Sequence, residues 1–125
     1  MSEFQVKARP KHLPLVQRTA LRLGRLQGFS YGNLATLFAV GVEAARMNCK
    51  HLPPAPADGS FPHEGRRKLR ELVAADLGLP LSGSLDLVEN IIGTGCEWLA
   101  NRIAEVENVN GYLGRRLPLR EELAA

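Results

Sequence analysis

The tightest constraint on this chain is a break flanked by two helical patterns. Leu34, Ala35 and Phe38 recur at helical spacing, Ala39-Val40-Gly41 interrupts them, and a second helical pattern opens near Val42. Two helices joined by so short a connection must cross at close range. Ala35 is small enough to let the two backbones approach, and Val40 can plug the gap between them. The stretch FSYGNLATLFAVGVEAARMN therefore has the layout of a helix-turn-helix. Ser30 suits the N-cap of its first helix, since its hydroxyl can accept a free amide of the first turn. In the second helix Ala44, Ala45 and Cys49 are expected to face inward, and Glu43, Arg46, Met47 and Lys50 outward.

A further helix is expected before this pair, from about Pro14 to Leu26. Proline is tolerated in a first turn, where no amide donor is needed. Leu13, Val16, Ala20, Leu23 and Leu26 or Gln27 make one apolar stripe at three-to-four spacing. Arg18, Arg22 and Arg25 recur on another face, and Gly28 ends the helix as a C-terminal glycine does. Residues 1–12 are polar and basic and read as a flexible arm, either lying along phosphates or simply a tail.

The segment 13–52 resembles a known family. Its pattern LP-x-x-QR-x-AL-x-L-x-x-x-x-GFSY-x-x-LA-x-LF-x-V-x-V-x-x-A is similar to DNA-binding region 4 of extracytoplasmic-function sigma factors and to the LuxR-type helix-turn-helix. The matching residues are Leu13, Pro14, Gln17, Arg18, Ala20, Leu21, Leu23, Gly28, Ser30, Tyr31, Leu34, Ala35, Val40, Val42 and Ala45, spread over roughly a third of the chain. The resemblance implies a three-helix DNA-binding unit. Those families usually carry glycine where this chain has Ala39, often have Ser or Pro in place of Gly41, and have a more basic third helix. Nothing resembling a sigma factor's core-promoter-binding region precedes the match, so a complete sigma factor is not expected.

After the unit, PPAPADGSFPHEG at 53–65 holds four prolines and two glycines, which forbid a regular helix and mark a linker. A fourth helix is expected from Arg66 to Leu77, with Leu69, Leu72, Val73 and Leu77 inward. Its opening Arg66-Arg67-Lys68 opposes the helix dipole, which fits either a phosphate contact or a solvated start. Ser84 is then expected to cap a long helix to about Asn108, with Leu85, Val88, Ile91, Ile92, Cys96, Leu99, Ile103 and Val106 as an apolar stripe. Gly93 and Gly95 within it mark either a close helix crossing or a bend, and Trp98 either anchors a partner or covers a core edge. Residues 109–125 read as a loop with at most one helical turn at Leu119–Ala124.

The fold class expected is all-α: an N-terminal three-helix helix-turn-helix unit and a C-terminal helical hairpin, residues 66–125, with one long helix. With aromatics at 6%, the core must be built from Leu, Val, Ile and Ala, which suits helix-on-helix packing. No run approaches the roughly 18 apolar residues of a membrane span, and the N-terminus has no apolar signal segment, so a cytoplasmic protein is expected. Cys49 and Cys96 form no CxxC pair and are expected as buried reduced thiols, with a disulfide or metal site the alternative. His12, His51 and His63 fit no zinc pattern. There is no phosphate loop, no G-x-S-x-G serine, and no group placed to orient His63 and Glu64. Neither an enzyme nor a cofactor is expected.

Charge is unevenly divided. Residues 1–51 carry eight basic against two acidic groups, a net +6, and the remainder eight against eleven, a net −3. Such asymmetry points to nucleic acid, with a solvated basic face as the alternative. The expected function is sequence-specific binding of double-stranded DNA, most simply transcription regulation. The helix at Val42–His51 would enter the major groove, with Arg46 and Asn48 at base edges and Met47 on a thymine methyl. Arg18, Arg22, Arg25 and Lys50 would hold phosphates, with Arg66, Arg67 and Lys68 as further candidates. The long C-terminal helix would make a homodimer, because two half-sites raise affinity. The rival expectation is a small helical protein-interaction module, an accessory or phage-type inhibitor of a regulator or polymerase. An oligomeric packaging-type protein is a third.

Overall fold

The computed structural model describes residues 13–54 and 63–110, with side chains to Val106. Among them there is no strand, and five helices follow in order: α1 (Leu15–Leu26), α2 (Tyr31–Phe38), α3 (Val42–Asn48), α4 (His63–Leu77) and α5 (Leu81–Asn110). The all-α expectation holds. The expected arm at 1–12, the middle of the linker at 55–62 and the tail at 111–125 lie outside the described residues.

α1 is the hub and touches all four other helices. Its sequence suggests one apolar stripe, yet Thr19 to Gly24 are buried without interruption. Over that stretch the helix is enclosed on every side, while Leu15 to Arg18 before it stay half-buried. α5 runs along it, and one continuous core joins Leu21, Leu23 and Leu26 of α1 to Leu34 and Leu37 of α2, Leu69 and Val73 of α4, and Ile92, Leu99 and Ile103 of α5. The N-terminal unit and the C-terminal hairpin therefore share a core. Burying each such leucine or isoleucine contributes about 1.5–3 kcal/mol.

Close approach of α1 and α5 depends on Gly95. A Cβ there would lie 3.2 Å from Thr19 Cγ2 and 3.4 Å from the Ala20 backbone nitrogen. Of the two readings open for the glycines of α5, Gly95 takes the crossing, whereas Gly93 is exposed with open space around it. The bend falls elsewhere, at Ser84, whose φ of −129° and ψ of 17° interrupt α5. Its hydroxyl donates to the Pro80 carbonyl (2.8 Å), so the expected cap sits at a kink inside the helix. Beyond the kink Val88, Ile92, Cys96, Leu99, Ile103 and Val106 are buried as expected, but Leu85 is 47% exposed, one residue past the break and outside the stripe.

Three helices end on a left-handed residue. After α1 the Phe29 amide bonds the Gly24 carbonyl and the Gly28 amide that of Arg25; after α4 Leu79 and Gly78 bond Ala74 and Ala75. These are Schellman closures, with Gly28 (φ 98°) and Gly78 (φ 73°) in the left-handed region. α2 closes likewise, Val40 bonding the Ala35 carbonyl at 3.1 Å, but the left-handed position is Ala39 at φ 55°. Ser30 caps the other end of α2, accepting the Asn33 amide at 3.0 Å.

α4 starts three residues earlier than expected, at His63. The linker assignment at 63–65 is thus corrected. Glu64 in the first turn complements the helix dipole, and it pairs with Arg67 one turn on (3.6 Å). Arg66, Arg67 and Lys68 consequently lie past the first residues of the helix, where the opposing dipole is weaker. Trp98 covers a core edge, stacked on Phe38 with ring centroids 5.0 Å apart.

Candidate functional site

Arginines hold the helices in place, and this separates structural from available charge. Arg18 and Arg22, one turn apart on α1, both grip Asp76 of α4, at 2.9 and 3.0 Å. Arg66 and Arg70, one turn apart on α4, both grip Glu89 of α5. Arg22 also donates its Nε to the Asn48 carbonyl at the end of α3 (2.8 Å), and Arg102 of α5 donates to the Leu37 carbonyl near the end of α2 (2.6 Å). Each of these last bonds satisfies a carbonyl that a helix end leaves without an intrahelical donor. Arg25 donates to the Phe29 carbonyl (2.9 Å).

The expected phosphate-holding set on α1 is therefore corrected. Arg22 is 8% exposed, and Arg18 points its guanidinium at the Leu13 carbonyl and Asp76. Withdrawing either from a carboxylate in a partly buried setting costs more than a solvated phosphate contact returns. Arg66 is likewise turned inward, to Glu89. Asn48, expected at a base edge, is also corrected. It is buried, and its Nδ2 donates to the Ala44 carbonyl (2.9 Å), back along its own helix.

What remains outward is a compact face. Val42, Glu43, Arg46 and Met47 are exposed on α3, which ends at Asn48 and not at the expected His51, and Lys50 is exposed in the turn just beyond it. Ala44, Ala45, Asn48 and Cys49 face the core, as the period of 3.6 requires. Arg46 bonds Glu43 one turn back, and its guanidinium carbon also lies over the Tyr31 ring, 5.3 Å from the centroid. Arg25 lies over the same ring at 4.2 Å. Tyr31 was legible only as a scaffold match; no spacing in the sequence signals that residues 25, 31 and 46 meet.

Lys50 joins a second group. With His51 it lines an open cleft of about 380 Å³ opposite Arg67 and Lys68, where Glu64 and Glu71 supply acidic walls. Arg67 and Lys68 reach Glu71 at 3.6 and 3.5 Å, loose pairs between largely solvated groups, which are worth little. The structure thus brings Arg46 and Met47 together on α3 and Lys50 together with Arg67 and Lys68.

Both cysteines are free and buried. Burial pushes the Cys49 thiol up to about 12, outweighing the opposing pull of Arg22 and Arg25, so it is neither nucleophile nor ready ligand at neutral pH. The apolar stripe of α5 packs within its own chain. Among the described residues no helix is long and apolar enough to cross a membrane, and no three His, Cys, Asp or Glu residues cluster as for a metal ion. No protein-family model, curated protein or solved structure matches the chain.

Proposed function

We propose that the chain binds double-stranded DNA through the outer face of α3, as a sequence-specific regulator of transcription. One observation carries the reading: α1, α2 and the core hold α3 by its inner side and leave Val42, Glu43, Arg46, Met47 and Lys50 uncovered. A helix presented in this way, behind a tight turn from its predecessor, fits the width of the major groove. Arg46 is the base-reading candidate and Met47 a thymine-methyl contact. Lys50, Arg67 and Lys68 are the phosphate contacts; the α1 arginines are not.

The test is fluorescence anisotropy with labelled duplexes over a salt series. With Arg46, Lys50, Arg67 and Lys68 as the cations on this side, log K against log salt has a slope of about −2 to −4. Arg46→Ala weakens a selected site by about 1–3 kcal/mol and random DNA little. Absence of binding to any duplex at low salt refutes the reading. Val42 and Met47, 44% and 46% exposed, favour a second one, in which the same face docks on a regulator or polymerase subunit.

A further inference from the structure

We infer that Glu43 and Tyr31 are positioning residues that hold Arg46 for one guanine, and that Glu43 also suppresses binding to unrelated DNA. This rests on the DNA-binding reading above. An unrestrained arginine loses much rotamer freedom when it engages a base. Arg46 has surrendered part of that freedom already. Its Nη1 donates to Glu43 Oε1, and the Tyr31 ring backs its guanidinium at 5.3 Å. Restraint before binding lowers the cost of binding.

The restraint also selects which edge is presented. With Nη1 turned to the carboxylate, the edge formed by Nη2 and Nε carries three N–H donors. Guanine offers O6 and N7 side by side as acceptors, which two parallel N–H bonds satisfy; adenine sets an N–H donor beside N7 and meets a donor with a donor. Glu43 acts a second time through charge. Its side chain is 73% exposed, so it repels the phosphates of any duplex that does not engage Arg46. Loss of Glu43 therefore loosens discrimination and tightens random binding, two changes of opposite sign that a purely structural role does not produce. The pair is solvated and adds little to stability, so its variants fold.

The experiment is selection from a random duplex library with the full chain, followed by anisotropy on the selected duplex, on the same duplex with its guanine replaced by adenine, and on random DNA. The wild type prefers guanine by about tenfold or more. In Glu43→Ala this preference falls to about threefold or less while random DNA binds about twofold tighter or more. Glu43→Gln keeps an acceptor without the charge, so it retains most of the guanine preference yet binds random DNA like the alanine variant. Tyr31→Leu loses the preference and Tyr31→Phe, which keeps the ring, retains it. If selection enriches no sequence, the DNA reading falls and this inference with it. If a sequence is enriched and its guanine preference survives in Glu43→Ala and Tyr31→Leu, the inference alone is overturned. Loss at a different base pair, with the guanine kept, gives Glu43 a direct contact and overturns the positioning role.

Discussion

Three glycines within helices make the packing of α1 testable by one substitution with opposite outcomes. Glycine to alanine in a helix interior is favourable by up to about 1 kcal/mol, because the backbone loses less entropy on folding. At Gly93 nothing lies within 4 Å of the added methyl, so Gly93→Ala stabilises by about 0.5–1 kcal/mol. At Gly95 the methyl lies 3.2 Å from Thr19 Cγ2. Thr19 cannot swing away cheaply, since its hydroxyl is bonded to the Leu15 carbonyl at 2.9 Å and the residue is wholly buried. The Ala20 backbone nitrogen at 3.4 Å blocks the alternative of shifting the methyl away from Thr19 along α1. An overpacking cost of about 1–3 kcal/mol then outweighs the propensity gain, and Gly95→Ala destabilises by about 1 kcal/mol. At Gly24 the methyl would stand 2.8 Å from Leu34 Cδ2, inside the core, so Gly24→Ala costs about 2 kcal/mol. Urea unfolding followed by far-UV circular dichroism and by Trp98 fluorescence orders the variants as Gly93→Ala above wild type, then Gly95→Ala, then Gly24→Ala. A Gly95→Ala variant as stable as Gly93→Ala would mean that α5 does not cross α1 at this residue, and the account of α5 as spent on its own chain would fail with it.

Other substitutions probe the remaining devices. Ala39→Gly relieves a left-handed alanine, worth about 1–2 kcal/mol, against a smaller entropic gain of the unfolded chain, and stabilises by a net of about 0.5–1 kcal/mol, read as a higher urea midpoint. Asp76→Ala strips the shared carboxylate from Arg18 and Arg22; because the Asp76 side chain is 22% accessible, the loss is about 2 kcal/mol, below that of a fully buried pair, with the urea m-value unchanged. Cys49 keeps its proton to about 12 in the fold, while the unfolded chain releases it near the ordinary 9.0. Its contribution is therefore fully present below that value and is lost as pH rises towards 12, by up to about 1.4 kcal/mol per unit. Unfolding of wild type and Cys49→Ala at about pH 8 and about pH 10.5 should show the wild type losing the more; equal losses would place the thiol in water.

Sequence pattern carries the helices well because their signals are local. Ser30, Gly28 and the Leu34–Phe38 spacing act within a turn or two, and each does in the fold what its chemistry predicts. The failures share a different cause. Arg18 and Arg22 look like a basic surface stripe, since what makes them internal is Asp76, more than fifty residues away. The burial of Leu21 and Thr19 beside them follows only once four helices surround α1. Likewise Leu85 continues the α5 period on paper, but the kink at Ser84 rotates it out, and no local rule distinguishes a serine cap from a serine at a break.

This difference changes what the charge asymmetry means for the candidate site. A net +6 over residues 1–51 suggests a protein held to DNA by many phosphates. With Arg18 and Arg22 consumed by Asp76, and Arg25 by Phe29 and Tyr31, the outward cations of the described part of that segment are Arg46 and Lys50. Arg46 in turn brings Glu43 with it. Such a face has little non-specific affinity to offer, so a DNA-binding role through it must draw its affinity from base contacts and from the Arg67 and Lys68 side of the cleft. The expected salt slope is accordingly shallow for a DNA-binding protein. A slope that stays steep, near −5 on the scale of about −0.9 per phosphate, when Lys7, Arg9 and Lys11 are replaced by alanine would put the α1 arginines back on the DNA and contradict their clasp of Asp76.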